Sequence, residues 1–228
     1  MLGVSAGLSN VKSMKASSAW DVTKLNDLFA WFKYNSNITL GVGDQVSTWA
    51  SEYGSSVFRI DGGKVLKNSG DLNFDTNNGR MALGTAWDPG TFAVYLVCKI
   101  TAEEISNEEI MNAGNNDFFR FSNDGEVRVK IGDSTSNNMA LPGSEITVNE
   151  WFVFGIEWNG TTISIFKDDE YANPTTATDN DTFAGIENLG LRGNPFDGQI
   201  REVVMIDDVL TDNDREKLMT HLKDVMNI

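Results

Sequence analysis

The sequence has little of the residue types that make covalent cross-links and transition-metal sites. It contains one cysteine, one histidine and 4 prolines in 228 residues. A single thiol excludes an intrachain disulfide and favours folding in a reducing compartment. One Cys and one His cannot supply the ligands of a structural zinc site. The scarcity of proline beside 21 glycines indicates many tight turns, not a proline-rich linker.

Basic residues are also scarce. The 18 Lys and Arg are outnumbered by 33 Asp and Glu, which gives a formal net charge of −15. Such a charge repels phosphate backbones and anionic lipids, so we expect no nucleic-acid partner and no membrane insertion. No apolar run approaches the ~20 residues that span a bilayer. The first twenty residues lack the basic and continuous apolar regions of a signal peptide.

Aromatic and β-branched residues are plentiful, and they indicate a β-sheet protein. Residues 151–167, WFVFGIEWNGTTISIFK, alternate apolar side chains around an Asn-Gly pair, which predicts two strands and a tight turn. Phe152, Phe154, Ile156 and Trp158 fall on one face, and Glu157 falls on the other. So much apolar surface must be covered by a second layer.

Other segments fit the same architecture. Residues 91–100, TFAVYLVCKI, are apolar on both faces, which is typical of a central strand and predicts a buried, inert Cys98. Further strands are predicted over 28–34, 46–49, 56–60, 72–75, 80–83, 117–121, 126–131, 186–191 and 199–206. Residues 134–146 and 168–183 are predicted as loops, and residues 101–109 as a surface loop or a short helix. After Thr211 the pattern changes to a helix with Leu218, Leu222 and Val225 on one stripe.

Several stretches in this order resemble the concanavalin A-like lectin/glucanase superfamily in its laminin-G-like form. They are LFAWFKY with GDQVSTWA, LNFDTNNGRMALG, TFAVYLVCKI, the 151–167 hairpin, and NLGLRGNPFDGQIREVVMIDDVLTDNDREKLMTHL. The resemblance implies an all-β, two-sheet antiparallel jelly-roll sandwich with a short C-terminal α-helix. Two regions follow from it: an N-terminal arm over 1–27 and the sandwich with its helix over 28–228. The fold hosts lectins, glycosidases, adhesion modules and virion proteins, so it fixes no function.

Catalysis is not favoured by the residues present. The Glu-x-Asp-x-x-Glu motif of the superfamily's retaining glycosidases is absent. Glu157 and Glu202 are the pair that could act as acid and nucleophile, which needs carboxyl groups about 5 Å apart. We expect both to be structural carboxylates, with Glu202 bound by an Arg or a backbone donor. His221 is expected to face solvent on the helix. The chain is therefore predicted not to be an enzyme and to carry no catalytic residues.

Sugar and calcium sites are the remaining chemical alternatives. An aromatic platform with amide and carboxylate neighbours could form at Trp87, Tyr171 and Asn173, which are the candidate glycan contacts. Runs of Asp and Asn at 115–117, 179–181 and 207–208 supply the hard oxygens that suit Ca²⁺. Asp179 and Asp181 fit the first spacing of an EF-hand loop, but Phe183 and the residues after it do not continue the pattern. We therefore predict no obligatory cofactor and no metal site.

The N-terminal stretch leads to the functional prediction. Residues 1–20 are rich in Gly, Ser and Ala, and we expect them to bind a partner through Leu2, Val4, Leu8, Val11, Met14 and Trp20. The alternative is that this segment folds back on its own domain. With the acidic surface, this predicts a bacteriophage virion protein, either a capsid decoration or a tail-associated adhesion protein. It would be made in the host cytoplasm and bind other virion proteins and copies of itself. The alternative is a carbohydrate-binding module; a glycoside hydrolase ranks third.

Overall fold

The protein is described here by a computed structural model covering residues 20–74, 78–113, 117–132, 136–176, 185–190 and 196–227. Over these ranges the chain forms two antiparallel β-sheets and a single α-helix, which confirms the predicted sandwich with a C-terminal helix. The one helix in this part of the chain is neither long nor apolar enough to cross a membrane.

The strands follow one another along the chain and are separated by short connections. In chain order they are β1 (Leu28–Lys33), β2 (Ile38–Leu40), β3 (Val46–Ala50), β4 (Val57–Gly62), β5 (Leu66–Lys67), β6 (Leu72–Asn73), β7 (Arg80–Trp87), β8 (Phe92–Ile100), β9 (Glu108–Ala113), β10 (Asp117–Asn123), β11 (Glu126–Lys130), β12 (Asn137–Ala140), β13 (Phe152–Trp158), β14 (Thr162–Lys167), β15 (Glu170–Thr176), β16 (Ile186–Leu189) and β17 (Gly198–Ile206). The helix α1 covers Asp212–Met226.

The strands divide into two sheets that differ in what covers their outer faces. Among the described residues, an eight-stranded sheet has the order β15-β14-β13-β8-β17-β6-β5, and β1 also pairs with β17. A nine-stranded sheet has the order β12-β11-β10-β9-β16-β7-β4-β3-β2. Helix α1 packs on the outer face of the eight-stranded sheet, against β8, β13 and β17.

Strand β8 shows how the sequence separates two cores. Its residues Phe92, Val94, Leu96, Cys98 and Ile100 point between the sheets, into the main core. The alternate residues Ala93, Tyr95 and Val97 point to the second core, beneath α1. The prediction of a buried Cys98 is confirmed, and burial raises the pKa of its thiol well above the usual value.

The predicted hairpin at 151–167 is confirmed as β13 and β14. Phe152, Phe154, Ile156 and Trp158 lie in the main core, as their alternation predicts. The turn is closed by Asn159, whose Oδ1 accepts hydrogen bonds from the backbone N–H groups of Thr161 at 3.0 Å and Thr162 at 2.8 Å. Gly160 follows with a φ of 88°, a conformation that glycine adopts without steric cost.

Helix α1 begins where the sequence predicts it. The Thr211 hydroxyl accepts the backbone N–H of Asp214 at 3.2 Å and caps the first turn. Leu218, Leu222 and Val225 are buried in the second core, which confirms the predicted stripe. This core also receives Val22, the first residue of a short 3₁₀ turn over Val22–Lys24, and Leu25, which follows that turn. It partly buries Trp20.

Strands β12 and β15 lie in segments predicted to be loops, and β9 begins within the last two residues of another such segment. Strand β9 opens with Glu108 and Glu109, two acidic residues that are nonetheless 6% exposed each. The Glu108 carboxylate accepts the backbone N–H of Asp197 at 3.0 Å, and burial raises its pKa. Tertiary contacts therefore hold as strand a segment whose polarity indicates surface loop.

Candidate functional site

The centre of the candidate site is a buried ion pair between the sheet and the helix. Arg215 on α1 donates from Nε to Glu157 Oε1 at 2.9 Å and from Nη2 to Glu157 Oε2 at 2.8 Å. Tyr95 donates its hydroxyl to Glu157 Oε1 at 2.7 Å. Arg215 also donates to Asp212 Oδ1 at 2.6 Å and to the carbonyl oxygen of Leu210 at 2.8 Å.

These contacts shift the pKa values of Arg215 and Tyr95. Burial acts to lower the pKa of Arg215, but the hydrogen bonds and the charge of Glu157 outweigh it and raise that pKa. Burial, followed by the charge of Glu157, raises the pKa of the Tyr95 phenol. Both carboxylate oxygens of Glu157 are engaged by these two side chains, so Glu157 has a structural role in this site.

A cleft of about 560 Å³ opens beside this pair, between α1 and the β14–β15 hairpin. Phe166 and Tyr171 form its aromatic wall, and their rings stack with centroids 5.0 Å apart at an interplanar angle of 27°. Phe166 is buried, whereas Tyr171 is 50% exposed. The Arg215 guanidinium lies 4.9 Å from the Phe166 ring centroid, on the floor of the cleft.

Carboxylates surround the aromatic wall. Asp168 is paired with Lys167, and Asp169 is paired with Lys223. Glu170 and Glu216 also line the cleft. Within the described part of the chain, neither of these two carboxylates has a hydrogen bond or an ion pair. The cleft thus combines a stacking surface, two open acceptors and a guanidinium that already uses four of its five N–H donors.

Sequence reasoning found Tyr171 and Glu157 but missed the residues that complete this cleft. Arg215 follows the predicted N-cap by one turn, and its long side chain reaches across to the sheet. Glu170 and Tyr171 sit at the start of β15, in a segment that resembles loop by composition. A charged run, Lys167 to Glu170, directly after an apolar strand is the signal that could have indicated a polar rim.

The other candidate glycan contacts lie elsewhere. Trp87 is 2% exposed, and its Nε1 donates to Asp207 Oδ1 at 2.6 Å, so its ring offers no open stacking face. Its assignment as a stacking platform is therefore wrong, because the ring fills the main core. The side chain of Asn173 lies outside the described part of the structure.

Of the predicted arm residues, only Trp20 lies within the described part of the structure. Leu2, Val4, Leu8, Val11 and Met14 lie outside the described residues. Trp20 is described, and it packs edge-on against His221 with ring centroids 6.2 Å apart. Residues 20–27 therefore belong with the sandwich in packing terms, although they were assigned to the arm.

The prediction that His221 faces solvent is wrong. Its Nε2 lies 2.6 Å from Glu202 Oε1, and its side chain is 23% exposed. Glu202 is 2% exposed and also accepts the Trp31 indole N–H at 2.6 Å. Glu202 is a structural carboxylate as expected, but its partners are an indole and an imidazole instead of an Arg or a backbone donor.

Glu157 and Glu202 do not form a catalytic pair. They align with Ala93 and Val97 on β8, on opposite sides of that strand. Four residues of strand separate these positions by ~13 Å along the strand direction alone. Retaining glycosidases need carboxyl groups about 5 Å apart, and even inverting enzymes need less than about 10 Å.

Within the described residues, the acidic runs considered for calcium form no ion site. Residues 115–116 and 179–181 lie outside the described residues. Asp207 accepts the Trp87 indole, and Asp208 accepts the Thr91 hydroxyl at 2.9 Å and the Val209 N–H at 2.8 Å. Across the described residues no group of three or more His, Cys, Asp or Glu side chains is arranged to hold a metal.

Comparison with known proteins identifies the fold. No protein-family model matches the sequence, and no curated protein matches it. The structure is similar to the binding domain of botulinum neurotoxin DC in complex with SialylT, at a TM-score of 0.63 and 12% identity, over 86% of this chain and 52% of that one. It is also similar to Trypanosoma rangeli sialidase in complex with sialic acid, at a TM-score of 0.63 and 12% identity, over 87% of this chain and 33% of that one.

These likenesses define a lectin-like β-sandwich and nothing narrower. The identities are too low to transfer an activity, and the chain spans about half of the neurotoxin domain and a third of the sialidase. The concanavalin A-like resemblance in the sequence agrees with this fold, whereas none of these similarities supports a bacteriophage origin.

Proposed function

We propose that this domain binds carbohydrate without catalysing a reaction, and that the cleft between α1 and the β14–β15 hairpin is its binding site. The observation that carries the proposal is Tyr171, an aromatic ring half exposed over a cleft and held in place by stacking on Phe166. Flat apolar sugar faces pack on such rings, while polar groups around them fix orientation.

The charge of the cleft defines the class of sugar. Glu170 and Glu216 accept hydrogen bonds from ring hydroxyls or from an amino group. Arg215 offers no free fork for an acidic sugar, because Glu157, Asp212 and Leu210 occupy its donors. We therefore propose a neutral or amino sugar here. Neighbours solved with SialylT and with sialic acid support glycans as the general class.

A glycan array that includes neutral, amino and acidic sugars tests this proposal. The decisive variant is Tyr171→Ala, which should weaken binding of any neutral hit about tenfold, equivalent to about 1.4 kcal/mol. Tyr53→Ala is the matched control, because Tyr53 is 42% exposed and does not line the cleft. Equal binding by both variants, or an array without a neutral or amino-sugar hit, would refute the proposal.

Display of this domain on a bacteriophage particle remains the more specific proposal. It is favoured by the Gly/Ser/Ala-rich residues 1–19, which suit a docking arm, and by the net charge of −15, which keeps a densely packed surface soluble. The arm would bind other virion proteins, and the cleft would face outward. The two roles are compatible, because the arm and the cleft are different parts of the chain.

A further inference from the structure

Two arginines face each other on the open side of the nine-stranded sheet. Arg120 on β10 is paired in register with Arg128 on β11, so their side chains leave the same face of the sheet. Like charges directly opposite each other destabilise a strand pair. The Arg120–Arg128 pairing is unusual in a chain with 33 acidic residues, because an acidic residue at either position would remove the repulsion.

Neither arginine is neutralised by the residues around it. Over the described part of the chain, neither guanidinium has a carboxylate within 4.0 Å. Arg128 Nε donates to Ser136 Oγ at 2.6 Å, and the Arg120 guanidinium lies 4.6 Å from the Phe118 ring centroid. The Nε of Arg120 is buried without a hydrogen-bond partner among described groups, as is the Oγ of Ser122, two residues further along the same face.

A carboxylate does lie nearby, but it is engaged elsewhere. Glu109 on β9 pairs in register with Arg120, and its Oε1 accepts Asn112 Nδ2 at 2.6 Å. Asn112 Oδ1 in turn accepts Asn188 Nδ2 at 2.8 Å. Burial raises the pKa of Glu109, while burial and then the charge of Arg128 lower the pKa of Arg120. The charge of Glu109 offsets part of the charge of Arg120 without forming an ion pair, so the two guanidinium groups together keep a positive charge.

The register extends this arrangement into a polar surface. One row across the sheet holds Glu109, Arg120, Arg128 and Asn138, and the adjacent row holds Asn188, Asn112, Phe118 and Lys130. Four strands cover ~14 Å at ~4.8 Å per spacing, which is wide enough for a short oligosaccharide. The surface offers guanidinium groups, amide groups and one partly buried aromatic ring.

We propose that this surface is a second binding site, which takes a sugar carboxylate, as in a uronic or sialic acid. The paired guanidinium groups bind the carboxylate with the bidentate geometry that arginine favours, and the partly exposed amide of Asn188 contacts a ring hydroxyl, whereas Asn112 is buried and holds Asn188 in place. The site should select a short ligand with a single charge, because the net charge of −15 repels long polyanions. Salt screens charges beyond a Debye length of ~8 Å, so a short ligand at the site interacts mainly with the two nearby arginines. This site is independent of the neutral-sugar cleft.

Binding measurements on matched acidic and neutral sugars test the proposal. The probes are sialyllactose against lactose, and galacturonic acid against its methyl ester, measured by titration calorimetry. We expect at least one acidic probe to bind at least tenfold more tightly than its neutral partner. Binding of only one acidic probe identifies the source of the carboxylate. Equal affinity within both pairs, or no binding of either acidic probe, would overturn the proposal.

Variants then place the site on the sheet. Arg120→Gln should weaken the acidic probe at least tenfold, and Arg120→Lys should keep only part of the affinity, because it keeps the charge but loses the fork. Arg59→Gln removes the same charge from an exposed position on the same face and should change affinity less than twofold.

The remaining controls separate this site from folding defects and from the cleft. Arg120→Gln relieves a repulsion, so it should melt no lower than the parent chain. Tyr171→Ala should leave the acidic probe unaffected, so that failure of one site is distinguishable from failure of the other. If the Arg120 and Arg59 variants lose the same affinity for the acidic probe, then only the net charge of the chain matters for binding, which would contradict the proposal.

Discussion

Glu157 and Glu202 are both buried carboxylates on the helix-covered face of one sheet, and each has its own set of partners. Glu157 is bound by a guanidinium and a phenol, whereas Glu202 is bound by an imidazole and an indole. A buried ion pair adds little net stability over an apolar pair, but breaking one partner strands the other charge. Removing the Arg215 guanidinium should therefore destabilise the fold, because it leaves the Glu157 carboxylate buried without its ion-pair partner.

Replacing Arg215 with Met should lower the free energy of unfolding by about 3 kcal/mol, because Glu157 then remains buried and unpaired. Combining Glu157→Gln with Arg215→Met should restore most of this loss, since the Gln keeps an acceptor for the Tyr95 hydroxyl. Urea denaturation measures all the variants.

Lys217→Met provides the control for helix charge. Lys217 on the same helix pairs with Asp214 at 3.6 Å and is 41% exposed, so its loss should cost less than about 0.5 kcal/mol. An Arg215 variant no worse than the Lys217 variant, or a double variant no better than Arg215→Met alone, would contradict this account of the buried pair.

At the scale of elements, strand β13 is shaped to receive the side chain opposite it on β8. Gly155 pairs in register with Tyr95, and a Cβ at Gly155 would lie 2.2 Å from Tyr95 Cε1. The missing side chain lets the Tyr95 ring lie flat across β13, where its hydroxyl reaches Glu157. A glycine inside an apolar strand, which weakens strand propensity, is explained here by close packing.

Gly155→Ala should destabilise the domain by about 1–3 kcal/mol, because the Tyr95 ring must move and its hydrogen bond to Glu157 is lost. Adding Tyr95→Val should recover part of the loss, and thermal melts of the single and double variants measure this coupling. Gly84→Ala in β7 is the control, since a Cβ there meets no atom within 4 Å. Additive effects of Gly155→Ala and Tyr95→Val would exclude the steric explanation.

The strands that the sequence predicts are those whose own residues carry the pattern. Strands β13 and β14 alternate apolar and polar residues, and β8 is apolar on both faces. In each case the hydrophobic pattern of the strand's own residues reports how that strand is buried. The start of β9 was predicted as loop because its acidic residues are held by tertiary contacts, such as the backbone N–H of Asp197 that binds the Glu108 carboxylate from 89 residues along the chain. His221 was misplaced for the same reason, since Glu202, its partner, lies 19 residues earlier and on another element.

The candidate site was predictable only in fragments. Tyr171 was identified from its residue type, but the cleft depends on α1 crossing the hairpin, and no local pattern gives that crossing. Trp87 was chosen by the same criterion and is buried, because residue type alone does not separate a core aromatic from an exposed one. The arginine pair on the open sheet depends on strand register, which the sequence does not specify on a polar face.

For the whole molecule, the boundary between arm and sandwich can be placed from packing. Val22 and Leu25 are 0% and 6% exposed and belong to the core beneath α1. Trp20 packs on His221 at the edge of that core. The part of the chain that packs with the sandwich therefore begins by residue 20. This is earlier than the boundary after residue 27 that the family resemblance implies.

Removing residues 1–19 should leave the melting temperature unchanged but abolish self-association and particle assembly, if these residues are the docking arm. Sedimentation velocity of the truncated and full chains measures the first effect. Removal of residues 1–27 is the contrasting case and should lower the melting temperature, because it takes Trp20, Val22 and Leu25 out of the second core. Unchanged self-association after removal of 1–19 would exclude the arm.

The pairing of β1 with β17 also sets the order of events during synthesis. Trp31 pairs in register with Val204, so the two strands come from distant parts of the chain. Strand β17 is also the inner partner of β8, and without it β8 has a bare edge and β1 has no neighbour in the sheet. A nascent chain that stops short of residue 198 exposes this edge. Folding of this sheet therefore waits until β17 has left the ribosome, and the high negative charge of the chain opposes aggregation through the exposed edge in the meantime.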